Sequence, residues 1–269
     1  MSKVLNVSAS GFYKWRKSDS VGAERIALLD QQILQVFEDS DSTYGSPRVF
    51  KALQKESVEV SQSTIARSMN RLKITPKKRK KYKNTTDSKH DNPISPNILN
   101  RCFKATELGK VWVSDITYIP LKYGFVYLTT VLDLADRMVV GWNLSNNMTD
   151  QDTTIAALKK ALKNRPIEEG LIFHSDRGSQ YASVDFRKLL VQYKCIQSMS
   201  RKGNCWDNAV AESFFKTIKS EKLNRYQFAS MDEVYTTVFR YIEGWYNAKR
   251  IHSSLGGMSP REMAEKLAA

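Results

Sequence analysis

Val111-Trp112-Val113-Ser114-Asp115-Ile116-Thr117-Tyr118-Ile119 is rich in β-branched and aromatic residues and reads as a strand. Asp115 stands in its middle. An ionised carboxylate among apolar neighbours costs several kcal/mol unless a cation pairs with it, so this strand carries a residue that needs an explanation. Downstream, Phe125–Leu132 is a second strand-like run, and Asp133-Leu134-Ala135-Asp136-Arg137 turns the chain into a third, Met138–Leu144. Asp152–Leu162 reads as a helix, Leu171–Ser175 as a short buried strand, Ser183–Tyr193 as a helix and Ile196–Met199 as a strand. The order β-β-β-α-β-α-β followed by helices predicts an α/β fold, a mixed sheet flanked by helices.

Two more acids stand out. Asp176 directly follows the Leu171–Ser175 strand, and ligands of α/β sheets usually bind at strand ends. Glu212 lies in Gly203–Lys219, which reads as a helix. At 100° per residue, Asn208, Glu212, Lys216 and Lys219 share one face, while Val210, Phe214 and Ile218 face the other way to pack on the sheet. Singly, each acid also has a structural reading: Asp115 as a buried hydrogen-bonded residue, Asp176 as a turn former, Glu212 as a solvated helix residue. Together they fit a site for a hard divalent cation. Mg²⁺ takes oxygen ligands, few of them protein carboxylates, and leaves positions for water and phosphate. Two such ions about 3.5–4 Å apart serve in-line phosphoryl displacement.

Composition agrees with a phosphate-bearing partner. Across 269 residues the net charge is +14, with 42 Lys/Arg against 28 Asp/Glu. A polyanion is therefore the first partner to consider. The excess lies in front: residues 1–110 hold 21 Lys/Arg and 11 Asp/Glu, the remainder 21 and 17. Cys102, Cys195 and Cys205 lack C-x-x-C spacing and fit a reducing cytosol. His90, His174 and His252 lie too far apart for a zinc module. No apolar run approaches the roughly 18–20 residues of a membrane span, and the first residues, Met-Ser-Lys-Val-Leu-Asn-Val, suggest no signal peptide.

Ahead of the first strand, Ala23–Phe37 is an amphipathic helix with Ile26, Leu29, Ile33, Val36 and Phe37 on one face. Ser46, with Pro47 behind it, is expected to cap a second helix, and Ser61 a third with Ile65, Met69 and Leu72 on its apolar side. The second and third helices make a helix-turn-helix candidate in which Arg67 and Arg71 would meet DNA; a small three-helix bundle with a solvated basic face is the other reading. Residues 75–104 read as a basic linker, with Lys77, Lys78, Arg79, Lys80, Lys81 and Lys83 around Tyr82 offering phosphate contacts or a solubilising tether. The expected organisation is a helical region at 1–74, the linker, and a catalytic core at 105–269. His174 reads as a structural residue, with support of the metal site as the alternative; Asp133 and Asp136 are expected to shape the hairpin, and Trp142 and Trp206 to lie in the core rather than stack on bases. Trp245, Tyr246, Arg250 and His252 follow a helix capped by Ser230 and Glu233 and read as packing residues, with DNA contact as the alternative.

The chain resembles a known family at several places. Thirty-five residues separate Asp176 from Glu212, the D, D-thirty-five-E pattern of retroviral integrases and many bacterial transposases. Val111–Ile119, His174-Ser-Asp-Arg-Gly-Ser-Gln-Tyr181, Trp206-Asp-Asn-Ala-Val-Ala-Glu-Ser-Phe214 and Tyr246-Asn-Ala-Lys-Arg-Ile-His-Ser-Ser-Leu255 with Ser259-Pro260 resemble the OrfB transposases of the IS-three family of insertion sequences. Ser10-Gly-Phe-Tyr-Lys-Trp15 and Tyr44-Gly-Ser-Pro-Arg48 resemble that family's front region. The resemblance implies an RNase H-like core, with Asp115, Asp176 and Glu212 catalytic and holding Mg²⁺, for which Mn²⁺ would substitute. It implies cleavage at the ends of a mobile element and strand transfer, with double-stranded DNA as partner, a homo-oligomer on that DNA, and a cytoplasmic bacterial setting. Lys216 and Lys219 would hold DNA phosphates. An upstream OrfA protein, as partner or fusion, often supplies end recognition in this family, and no leucine heptads occur here. A non-catalytic DNA-binding regulator and an RNase H-like nuclease are the alternative readings.

Overall fold

The computed structural model describes residues 8–76 and 92–269. The chain divides into two compact units, Met1–Lys77 and Lys78–Ala269. The expected phosphate contacts Lys77, Lys78, Arg79, Lys80 and Lys81 lie outside the described residues.

The first unit is helical. Helix α1 (Ala9–Asp39) starts at Ser8, whose side chain accepts from the Gly11 N–H. Helices α2 (Ser46–Lys55) and α3 (Gln62–Arg71) follow. Ile33, Val36 and Phe37 of α1 are buried, as are Val49 and Leu53 of α2 and Ile65 and Met69 of α3. Ile26, expected on the same apolar face, is exposed; among the described residues of α1, the buried apolar side chains are those of Ile33, Val36 and Phe37. Ser61 caps α3 by accepting from the Thr64 N–H, as the sequence predicts. Ser46 does not cap α2: Gly45 holds that position, and Pro47 falls in the first turn, where a missing N–H is tolerated. Arg71 is turned onto Asp30 of α1 at 2.6 Å, while Arg67 stays exposed and bonds to Ser63 and Thr64 of its own helix.

The second unit is built on a five-stranded mixed sheet in the order β3-β2-β1-β4-β5. Its strands are β1 (Val111–Pro120), β2 (Phe125–Asp133), β3 (Val139–Ser145), β4 (Ile172–Ser175) and β5 (Ile196–Met199). The first three form an antiparallel meander, and β4 and β5 add in parallel beside β1. Alternation along β1 sends Trp112 and Val113 to opposite faces, as the two-residue period requires. On one face Trp112, Val131, Val140 and Phe173 pack with α4 (Ala156–Asn164), α5 (Ser179–Ala182) and α6 (Val184–Gln192). On the other, Val113, Leu128 and Leu132 pack with α7 (Ala209–Glu221), α8 (Met231–Phe239) and the π-helical stretch Arg240–Tyr246 that continues it. Helix α9 (Pro260–Ala268) follows, opened by a capping box between Ser259 and Glu262.

Gly141 sets how closely α4 approaches β3. A Cβ there would lie 2.6 Å from both the Ala157 carbonyl oxygen and the Ala161 nitrogen. Both are backbone atoms of a helix and cannot step aside alone. Gly141→Ala is therefore expected to lower stability by about 1–3 kcal/mol through overpacking. Equilibrium urea unfolding measures it, and an unchanged midpoint would mean that α4 rides further from the sheet.

The turn after β2 is fixed by two buried acids. Asp133 accepts from the Gly109 and Ala135 N–H groups, from the Trp112 indole and from Arg165; Asp136 accepts from the Met138 N–H and from Arg165. Their expected role in the hairpin holds, and it extends to tying β1 and the end of α4 together.

Segment 95–101, within the stretch read as linker, is bound to the sheet. Ser198 Oγ accepts from the Ile98 and Leu99 N–H groups, Pro96 accepts from Met199 N–H, and Leu99 is buried in the core.

Candidate active site

Topology brings the first two acids together. The parallel register pairs Val113 with His174, so Asp115 and Asp176 each lie two residues further along neighbouring backbones, which in a sheet run about 4.8 Å apart. Glu212 comes from the first turn of α7. Asp115 is influenced by both other acids. Burial raises its pKa well above the ordinary carboxylate value; the charge of Asp176 and, more weakly, that of Glu212 push the same way, against the Ile116 N–H bond and the cation of Lys219. Asp176 accepts at Oδ1 from the Gly178 N–H, which fixes the loop leaving β4. The Glu212 carboxyl is also raised by burial, with Lys216 3.7 Å away pulling it back.

Burial lowers the Lys219 ammonium to about 8 although Asp115 draws it up. Its Nζ lies 5.1 Å from the centre of the Tyr118 ring, a cation–π arrangement. Lys216, by contrast, is exposed. Of the shared helical face expected from sequence, Glu212, Lys216 and Lys219 lie on α7 and Asn208 does not. Asn208 falls in a 3₁₀ turn, Cys205–Asn208, and its amide donates to the Ser114 carbonyl at 3.0 Å. It thus ties the start of α7 to the residue before Asp115.

Sequence reasoning missed Tyr181 and Ser114. The buried Tyr181 hydroxyl lies 2.7 Å from Ser114 Oγ, and burial, then the charges of Asp115 and Asp176, keeps it protonated. A tyrosine five residues after Asp176, in the glycine-bearing loop, was the available signal.

His174 is structural. Ser198 Oγ already accepts two N–H bonds, so it donates its own hydrogen to His174 Nδ1 at 2.8 Å. The ring proton therefore sits on Nε2, 3.1 Å from Ser200 Oγ, which in turn donates to the Ser175 carbonyl. Burial lowers the ring to about 4 and keeps it neutral. Trp142 is buried, but Trp206 is 70% exposed, against expectation. Its neighbours Asp207 and Asn208 turn inward to polar partners, and the short turn leaves the indole outside. Tyr246 and Arg250 are packing residues: Arg250 makes a two-pronged bond to buried Glu221, beneath which Tyr246 joins the core. Trp245 packs against the same core, and the His252 ring meets Tyr246 edge-on.

Asp115, Asp176 and Glu212 offer carboxylate oxygens. Among the described residues, no three His, Cys, Asp or Glu side chains are gathered closely enough to hold a metal ion between them. No helix among them is long and apolar enough to cross a membrane.

An integrase core domain family matches residues 105–205, a second integrase core domain family matches 193–260, and an HTH-like domain family matches 24–82. The chain is 38% identical, over 99% of its length and 98% of the relative's, to the insertion element IS600 uncharacterized 31 kDa protein of Shigella sonnei. It is 37% identical, over 99% of its length and 93% of the relative's, to the transposase InsF for insertion sequence IS3A of Escherichia coli strain K12. Among solved structures it is similar to the dimeric form of the HTLV-2 integrase catalytic core domain in complex with magnesium, at 18% identity and a TM-score of 0.45, over 58% of this chain and 97% of that one.

Proposed function

We propose, from the premise that this chain belongs to the IS3-type family of insertion-sequence transposases, that it cuts DNA at the ends of an insertion sequence and joins those ends to new DNA with Asp115, Asp176 and Glu212 as its catalytic acids. One observation carries the reading: the parallel register of β1 and β4 sets Asp115 and Asp176 on neighbouring backbones, and Glu212 enters from the first turn of α7, near enough for its charge to add to that of Asp176 in raising the Asp115 pKa. Acids from two adjacent strands and a crossing helix raise each other's cost of ionisation unless a cation joins them.

The donor set fits Mg²⁺ or Mn²⁺, hard ions that take carboxylate oxygen and leave the remaining positions to water and phosphate. When bound, such an ion would activate the attacking oxygen and stabilise the leaving one. Asp115 and Asp176 would hold it from the sheet, and Glu212 would close the site from α7. In the first reaction water would attack a phosphodiester and break its P–O3′ bond, freeing a 3′-hydroxyl; in the second that hydroxyl would attack another phosphodiester, forming a new P–O bond as the P–O3′ bond of the attacked strand breaks and its 3′-oxygen leaves. Lys216 at the rim and Lys219 inside the site would hold phosphate oxygens. Tyr181, Ser114 and Asn208 position the strand that bears Asp115.

Arg67 and Arg71 of the HTH-like region, with residues 77–81, would hold DNA outside the site. The partners are double-stranded DNA at the element ends and the target, further copies of this chain on that DNA, and an upstream OrfA protein. The setting is the bacterial cytoplasm. The test is a strand-transfer assay on the element's own ends, with and without OrfA. Joining that needs Mg²⁺ or Mn²⁺ and stops when EDTA is added is the expected result; joining that survives EDTA would refute the carboxylate–metal reading.

A further inference from the structure

Asp207 is fully buried and accepts five hydrogen bonds. Arg201 gives three, two from its guanidinium at 2.8 and 2.7 Å and one from its backbone N–H at 3.0 Å; Arg101 gives one from Nε at 2.8 Å and Asn97 one at 2.9 Å. The Arg201 and Arg101 bonds hold the acid well below the usual carboxylate range. One buried negative charge thus organises two guanidinium groups, leaving a net positive charge. Both arginine side chains remain nearly half exposed, 49% and 44%. Arg101 also bonds Asn204 through one terminal nitrogen, and its backbone takes the left-handed φ of 62° that such a residue rarely adopts. A solvated surface ion pair would need neither the buried acid nor the turned backbone.

The position matters as much as the charge. Arg201 lies two residues beyond β5, and Ser200 beside it bonds the Ser175 carbonyl next to Asp176. Asp207 adjoins Asn208, which bonds the residue before Asp115, and stands five residues ahead of Glu212. The two guanidinium groups are therefore tied, through Ser200 and Asn208, to the backbone beside Asp176 and Asp115 and to the turn that leads into α7 and Glu212.

We propose that Arg101 and Arg201, oriented by buried Asp207, form a clamp for a backbone phosphate of DNA lying across the acid site. The planar guanidinium fork suits phosphate oxygens, and its edges not committed to Asp207 are pre-set for them. The clamp rests on the DNA-processing reading above and extends it to an interaction that needs no metal. Each arginine can be removed singly with Asp207 still paired to the other, so the fold survives the test.

The experiment is a binding titration of the full chain against a fluorescently labelled DNA duplex of arbitrary sequence, in EDTA so that nothing is cut, over a range of salt. Removing one cation from a DNA phosphate is expected to reduce the slope of log affinity against log salt by about 0.9. Arg101→Gln and Arg201→Gln should each lower the slope by about that amount, while Lys194→Gln, ahead of the opposite end of β5, should leave it unchanged. Unchanged slopes in both arginine variants, with a lowered thermal midpoint, would make them braces of Asp207 alone and overturn the clamp while leaving the DNA reading standing. An equal fall in Lys194→Gln would overturn it too, as a general charge effect. Wild-type protein with no salt-dependent binding would remove both the clamp and the DNA reading.

Discussion

Asp115→Asn is expected to abolish DNA cleavage and joining, by on the order of 10³-fold or more, while raising the protein's thermal stability in the absence of metal. The two effects share one cause. The side chain keeps its shape but loses the charge that would hold a cation, and the loss of one electrostatic contact to a transition state alone costs about 10²–10³ in rate. Burial and the neighbouring Asp176 raise the folded-state pKa of Asp115 above its ordinary value of 3.8. The folded state therefore binds its proton more tightly than the unfolded state does. Ionising it costs stability that grows as pH rises from near 3.8 through the raised pKa and is fully felt above it. Asparagine removes that cost, so the wild type should lose stability over that range relative to the variant. Asp176→Asn and Glu212→Gln should match it in activity, and all three should still bind DNA. Calorimetry across pH and a cleavage assay measure the two effects. Full activity in any variant would remove that acid from the catalytic set, and a less stable Asp115→Asn would mean that the carboxylate is a structural anchor.

Arg165→Leu should give the largest loss of stability. One guanidinium bridges two buried acids, Asp133 at 2.7 Å and Asp136 at 2.6 Å, both without solvent exposure. Removing it leaves two carboxylates in the protein interior with backbone N–H bonds and no paired cation at that distance. Breaking a buried pair from one side typically costs about 3–5 kcal/mol. Asp133 also holds Gly109 and the Trp112 indole, so the loss would spread to the strand that bears Asp115. Arg165→Lys should recover only part, because one ammonium cannot span both acids as the fork does. Denaturant unfolding with both variants tests this. A loss below about 1 kcal/mol, the range of a solvated pair, would show that water reaches these acids when the arginine is gone.

Much of this architecture is written locally. Strand β1 shows itself by its β-branched and aromatic run, Asp115 by its place within that run, and Asp176 by its position at the end of β4. Ser61, Ser183 and Ser230 accept the capping bonds at their helices. What escaped the sequence depends on contacts between distant residues. Asn208 fits a helical face by angle, yet a 3₁₀ turn displaces it, because its amide has a better partner at Ser114 and Asp207 has one at Arg201. The same inward turn exposes Trp206, whose size alone suggests a core residue. Segment 95–101 has a linker's composition, but Ser198, far along the chain, offers its backbone N–H groups an acceptor. Tyr181 becomes part of the site only when α5 sets its hydroxyl against Ser114. Local patterns therefore supplied the elements and the acids, and long-range hydrogen bonds supplied what positions them.

In the function proposed above, Asp115, Asp176 and Glu212 hold one divalent cation against DNA. Electron paramagnetic resonance of Mn²⁺ titrated into the full chain bound to duplex DNA reads that directly. A bound Mn²⁺ signal is expected in the wild type, and it should disappear or weaken sharply in Asp115→Asn, Asp176→Asn and Glu212→Gln. A signal of unchanged strength in all three variants would contradict it.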